Sequence, residues 1–98
     1  MVIFQVQEML EEKVKHVSKL GSTDAVEILN IQLRAGEKIP RHNAKGEVLI
    51  IVQFGEVRCE VENVENILTQ NSILAMQPLE NHSLEALTDA SVIVLKLK

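Results

Sequence analysis

The stretch GEKIPRHNAKGEVLIIVQFG, which runs from Gly36 to Gly55, decides the fold of this chain. A second stretch, NSILAMQPLENHSLEA, follows from Asn71 to Ala86 after a short hairpin. Each is typical of paired β-strands, because short aliphatic runs alternate with glycine, proline and asparagine. The first stretch carries His42 and the second carries His82, so these two imidazoles are the candidates for chemistry.

Hydrophobic periodicity predicts an all-β protein. Val57, Cys59 and Val61 alternate with charged residues, which is typical of a strand with one buried face. The run from Val48 to Val52 is continuously aliphatic and predicts a central strand. The other predicted strands are Val26–Leu33, Ile67–Thr69, Ile73–Met76, His82–Leu87 and Val92–Lys98. Many short strands at close spacing indicate a sandwich or barrel.

The N-terminal region is the ambiguous part of the sequence. Apolar residues recur there with a roughly helical period, which leaves room for a short helix over Gln7 to Lys13. The run from Val14 to Leu20 is equally compatible with an extended strand. A chain of 98 residues forms one domain, in which we expect residues 25–98 to form the barrel. Residues 1–24 form an N-terminal segment that two subunits of a dimer could exchange.

Composition excludes several classes of function. Ten basic residues against fourteen acidic ones, with two phenylalanines as the only aromatic residues, predict no nucleic-acid partner. No apolar run is long enough to cross a membrane and no secretory signal is recognisable, so we expect a cytoplasmic protein without a membrane partner. The single cysteine, Cys59, excludes an internal disulfide and is typical of a small core residue.

The spacing of these residues resembles the cupin family. The first cupin signature is matched by Pro40 and His42 between Gly36 and Gly55. The second is matched more loosely by Asn71-Ser72, in place of the usual Gly-Asp, followed by Pro78 and His82. The resemblance implies a double-stranded β-helix, or jelly-roll barrel, that is commonly dimeric and has its site inside the barrel.

The metal site of that family is incomplete in this chain. A typical metal-binding cupin has a second histidine two residues after the first and a glutamate four residues further on, where this chain has Ala44 and Val48. His42 and His82 remain candidate ligands for zinc, nickel, iron or copper. Because such sites usually need a third protein ligand, we expect no tightly bound ion.

Strand alternation predicts what surrounds the two histidines. The residues that share the inward face of His42 are Ala44, Val48, Ile50 and Val52. On the same parity Glu47 points outward, so the interior wall is apolar apart from the imidazole. We therefore expect a small-molecule site near His42 and His82, with Val48, Ile50 and Met76 in its wall.

Three functions are compatible with the sequence. The first is binding of an unidentified small molecule without turnover, which we favour. The second is a metal-dependent cupin enzyme of the isomerase or dioxygenase type, and the third is a structural or regulatory dimer with an occluded barrel. Aliphatic residues assigned to outer faces predict a homodimer in each case; they are Leu49, Ile51, Val92 and Val94.

Overall fold

Nine β-strands and no helix make up the protein in a computed structural model that describes residues 1–98. The strands are β1 (Lys15–Ser22), β2 (Val26–Leu33), β3 (Lys38–His42), β4 (Val48–Phe54), β5 (Val57–Val61), β6 (Val64–Leu68), β7 (Ile73–Met76), β8 (His82–Ala86) and β9 (Ala90–Leu97). The prediction of an all-β fold is confirmed. No helix that could cross a membrane is present.

The strands form two antiparallel sheets with a common core. One sheet has the order β1-β2-β9-β4-β7 and the other has the order β3-β8-β5-β6. A single buried cluster combines Val48 and Ile50 of the first sheet with Val57 and Cys59 of the second. The core therefore lies between the two sheets, as in a jelly-roll barrel.

The pairing register fixes which face of β9 is buried. Val92 pairs with Val52 and Val94 pairs with Ile50, and cross-strand partners share a face. Val92 and Val94 are 1% and 5% exposed, so the expectation that they lie on an outer face is wrong. Both faces of β9 carry aliphatic residues, and alternation alone does not select the inner one.

The N-terminal segment contacts the outer face of the five-stranded sheet through Phe4, Gln7 and Met9. The amide of Gln32 holds this segment, because Nε2 donates to the carbonyl of Gln7 at 2.8 Å and Oε1 accepts from the N–H of Met9 at 2.9 Å. The ring of Phe4 packs directly above Gly21, where any larger residue would collide with it. Long-range contacts of this kind decide the conformation of the segment.

The helix considered for Gln7 to Lys13 does not form. Residues 10–12 form a single turn instead, in which the N–H groups of Glu12 and Lys13 donate to the carbonyl of Met9, and the turn does not extend because Gln32 holds the preceding residues in place. The ambiguous run after this turn is extended and forms β1, which pairs with β2 of the same chain. The five-stranded sheet therefore begins at Lys15, inside the segment 1–24.

The outer faces of the two sheets differ in character. On the four-stranded sheet, Arg58 bridges Glu65 at 2.6 Å and Glu85 at 2.8 Å. On the five-stranded sheet, register partners form rows of apolar residues, which comprise Ala75, Leu49, Leu95 and Ile28 in one row and Ile73, Ile51 and Ile93 in the next. We call these two rows on the five-stranded sheet the apolar outer face.

Candidate ligand-binding site

A cavity of about 180 Å³ lies between the sheets at the end where β3 meets β8. Nine of its twelve lining residues are hydrophobic. Val17 of β1 and His42 of β3 are its exposed lining residues, and both belong to edge strands. The cavity therefore opens to solvent at the side of the molecule between these two edges.

The structure brings together most of the residues that the sequence placed at the site. His42, Ala44, Val48, Ile50 and His82 all line the cavity. Val52 faces the same way but lies deeper in the packed core, at 3% exposed. The rest of the apolar wall had no sequence signal of its own, and it is formed by Val17, Leu29, Ile31, Ile39, Leu84 and Val94.

Met76 is not part of the cavity wall. It is 1% exposed on β7, where it pairs with Val48 and packs into the core. Its inward direction agrees with strand alternation. Because β7 is the edge of the sheet farthest from β1, however, the side chain fills the closed side of the barrel.

The two candidate histidines are in direct contact. His42 and His82 are register partners in the β3–β8 pair, and their ring centroids lie 4.1 Å apart with an interplanar angle of 62°. His42 is exposed at the mouth, whereas His82 is 6% exposed and lies deeper. Forty positions of sequence separate two rings that share one wall of the cavity.

Hydrogen bonds fix the tautomer of both imidazoles. Nδ1 of His42 lies 2.8 Å from the carbonyl oxygen of Pro40, and Nδ1 of His82 lies 3.2 Å from that of Glu80. Because a carbonyl can only accept, each Nδ1 carries the proton and donates it. Nε2 of each neutral ring therefore keeps its lone pair for a ligand.

Burial lowers the pKa of the His82 imidazole below its ordinary value. The positive charges of His42 and Lys96 act in the same direction, and the hydrogen bond to the carbonyl of Glu80 opposes them. His82 is consequently neutral at pH 7. It can accept a hydrogen bond through Nε2 inside an apolar cavity.

Lys96 is the site residue that sequence reasoning missed. Lys96 lies on β9, where it pairs with Val48 of β4 on one side and with Glu27 of β2 on the other. Its side chain lines the cavity. The missing signal was the orientation of β9. Once Val94 is known to face inward, Lys96 must share its face two residues later.

The residues present do not fit the metal site that this fold commonly carries. No three histidine, cysteine or carboxylate side chains converge in a geometry that could hold an ion. The carboxylates near His82 have other partners, since Glu80 accepts from the backbone N–H of Gln77 at 2.7 Å and Glu85 binds Arg58. Two imidazoles alone fall short of the three or four protein ligands that hold zinc.

Comparison with solved structures identifies the fold. A cupin superfamily protein from Desulfitobacterium hafniense aligns over 94% of this chain and 83% of its own, with a TM-score of 0.81 and 16% identity. An RmlC-like cupin family protein with a double-stranded β-helix fold, from Methanocaldococcus jannaschii, is 24% identical, with a TM-score of 0.78 and coverage of 99% and 93%.

An enzyme is also among the similar structures. Salicylate 1,2-dioxygenase from Pseudoaminobacter salicylatoxidans, solved as adducts with gentisate, aligns over 74% of this chain but 20% of its own, with a TM-score of 0.70 and 18% identity. No protein-family model matches the sequence. No curated protein matches it either. The chain therefore has the cupin fold.

Proposed function

We propose that this protein is a binding module that holds a small, mostly apolar molecule between its sheets. The proposal rests on the cavity of about 180 Å³, which has an aliphatic wall, one imidazole at its mouth and a second imidazole deeper in the same wall. Pockets for small molecules are typically apolar, with a few polar groups that orient the ligand. His42 and His82 supply such groups, because each ring uses Nδ1 for a backbone carbonyl and keeps an unshared Nε2 lone pair that can accept a hydrogen bond.

The size of the cavity limits the ligand. An engineered apolar cavity of about 150 Å³ in another protein binds benzene, so a cavity slightly larger accommodates one ring with a short polar substituent, or a short alkyl chain. A molecule with about nine non-hydrogen atoms at roughly −0.4 kcal/mol per atom would bind with a Kd in the millimolar range. The physiological ligand could extend out of the mouth and bind more tightly.

The donor set favours binding over metal-dependent catalysis. A cupin enzyme of the isomerase or dioxygenase type would need a third protein ligand, and the two positions that supply it in the family signature are Ala44 and Val48 here. Metal analysis of protein purified without chelator or nickel resin tests this directly. Stoichiometric transition metal that disappears in His42→Gln and in His82→Gln would replace the binding proposal with the enzyme.

Neutral probes test the binding function itself. Benzamide, benzyl alcohol and hexanol are titrated separately into ¹⁵N-labelled protein, and amide chemical shifts are recorded. We expect saturable shifts that cluster at β3, β8 and the β4 residues that line the cavity, and we expect them to be lost in Ala44→Leu, which fills the space. Absence of saturable shifts with all three probes, or shifts unchanged in Ala44→Leu, would overturn the proposal.

We also propose that two copies of the chain associate through the apolar outer face. Ile73 is 66% exposed at the edge of this surface, and Leu49, Ile51, Ile93 and Leu95 are half-buried beside it. No charged residue interrupts the two rows, whereas the other sheet carries an ion-pair network. A second copy offers an equally apolar surface, which suits a two-fold interface.

Light scattering tests the association. Wild-type protein at micromolar concentration should have twice the mass of one 11.0 kDa chain. Ile73→Lys should give a folded monomer, and Ile67→Lys, a control on the exposed surface of the four-stranded sheet, should remain dimeric. A monomeric wild-type protein would contradict the proposal.

A further inference from the structure

The charge of the cavity points to the class of ligand. Among its twelve lining residues, Lys96 is the one permanent charge and no carboxylate is present. The Lys96 side chain forms no ion pair and no hydrogen bond with any other residue. A lysine that is half-buried at an apolar cavity without a partner is a site where an anion can gain a charge-assisted hydrogen bond.

A neighbouring carboxylate, Glu27, already has another partner. Glu27 is the register partner of Lys96 across β2 and β9, but its Oε2 lies 3.9 Å from Nζ of Lys19. Glu27 and Glu47 line a surface depression next to the loop at 43–47, which Lys96 also borders, but neither carboxylate lines the cavity and neither forms an ion pair with Lys96. With Glu27 balanced by Lys19, the positive charge of Lys96 remains available to a molecule in the cavity.

We propose that the ligand is a small monocarboxylate with an apolar body, whose carboxylate binds Lys96. This inference rests on the proposed binding function and adds the charge of the ligand and the residue that recognises it. The apolar body lies against Ile50, Leu84 and Val94, which line the same cavity. The cavity volume of about 180 Å³ limits the enclosed part to one ring, or to an acyl chain of similar volume.

The two imidazoles are compatible with a carboxylate. A neutral ring that faces a carboxylate binds a proton more readily, since the negative charge stabilises the imidazolium form. Its Nε2–H then donates to the second carboxylate oxygen while the Lys96 ammonium donates to the first. A hydroxyl group on the same ligand could instead donate to the Nε2 lone pair of the ring that stays neutral.

The test compares an anion with its neutral analogue of the same size. Benzoate and benzamide are titrated into wild-type protein, Lys96→Gln, Lys96→Arg and Lys13→Gln, with calorimetry or amide shifts as the readout. Lys13→Gln is the matched control, because it removes an equal charge from an exposed position outside the cavity. Hexanoate and hexanamide repeat the comparison with an alkyl body.

We expect benzoate to bind wild-type protein roughly tenfold more tightly than benzamide. Lys96→Gln should abolish this difference, Lys96→Arg should retain most of it, and Lys13→Gln should retain all of it. Equal binding of acid and amide in wild-type protein, for both the ring and the alkyl pair, would overturn the inference while leaving the binding function intact. Absence of binding by all four probes would instead overturn the binding function on which it rests.

Discussion

The two ends of the barrel interior are built from the same strands but differ in how they are filled. At one end, called the packed end, Leu33, Val57, Ala86, Ala90 and Val92 are each 1% exposed. At the other, called the open end, the same strands carry the cavity. Strand β4 shows the change within one element: Val48, Ile50 and Val52 all belong to the core, but only Val48 and Ile50 also line the cavity.

This difference shows that the direction of a side chain and the filling of the space around it have separate causes. Alternation along a strand sets which side chains point inward at both ends alike. Whether the inward space is filled depends on what the opposite sheet presents. At the open end it presents the short edge strand β3, whose inward residues are Ile39 and His42, and the small Ala44 follows. Polar rings and a small residue leave space that aliphatic side chains fill elsewhere.

The largest expected effect comes from truncating one leucine at each end. Leu33→Ala at the packed end should lower the free energy of unfolding by about 3–5 kcal/mol, because a closed core cannot collapse around the missing atoms. Leu84→Ala, at 4% exposed in the cavity wall, should cost about 2–3 kcal/mol, since its side chain already borders open space. Urea unfolding of both variants measures the difference. Equal losses would mean that the two ends are packed alike.

A smaller effect is expected from enlarging one alanine at each end, and the change in stability should differ between the two ends. Ala86→Leu should destabilise the protein by about 1–3 kcal/mol, because no space surrounds a residue that is 1% exposed. Ala44→Leu should leave stability unchanged or raise it, since the added atoms enter the cavity. Thermal unfolding gives the sign of each change. A clear loss of stability in Ala44→Leu would show that the open end has no room for a ligand.

The sequence predicted orientation well where one face of a strand is polar, and also in β4, where the position of His42 set which aliphatic residues face inward. The bounds of β2 and β7 agree with the strands predicted at Val26–Leu33 and Ile73–Met76, and the inward set that includes His42, Ala44 and Val48 lines the cavity. Short-range periodicity and a two-residue alternation carry that information.

The prediction failed in β9, where both faces are apolar, and in the N-terminal segment, where a distant residue decides the conformation. In β9, Val92 and Val94 alternate with Ile93 and Leu95, so hydrophobicity did not select the inner face. Lys96, which shares the face of Val94, was therefore not predicted to line the site. The N-terminal segment is held by Gln32, whose role depends on contacts across more than twenty residues. The volume of the cavity depends on packing between sheets, which no local pattern reports.

Acid should weaken the open end through His82. Burial lowers the pKa of His82 in the folded protein, so the unfolded chain binds the proton more readily. The free energy of unfolding is therefore at its full value above the unfolded pKa of about 6.5 and decreases as the pH falls through that value toward the folded one. We expect His82→Gln to reduce the loss of stability that begins as the pH falls from 7.5 through the unfolded pKa of about 6.5.

The control for this acid effect is His16→Gln, which removes a histidine outside the cavity and should leave the loss of stability as in wild-type protein. Urea unfolding at several pH values gives the comparison. An unchanged pH dependence in His82→Gln would show that the imidazole is solvated in the folded protein, and the mouth would then be wider than the structure describes.

The smallest expected effect is at Cys59, which reports on how far the open end extends. Cys59 is fully buried on β5, and burial raises the pKa of its thiol to about 11. Little thiolate is present at pH 8, so a disulfide reagent should label the folded protein only when the strand opens. Leu33→Ala should speed labelling, because it lowers the free energy of opening, and Ala44→Leu should leave the rate as in wild-type protein. If wild-type Cys59 reacts as fast as a free thiol, the cavity reaches β5, and the boundary between the packed and open ends must be drawn closer to Val57.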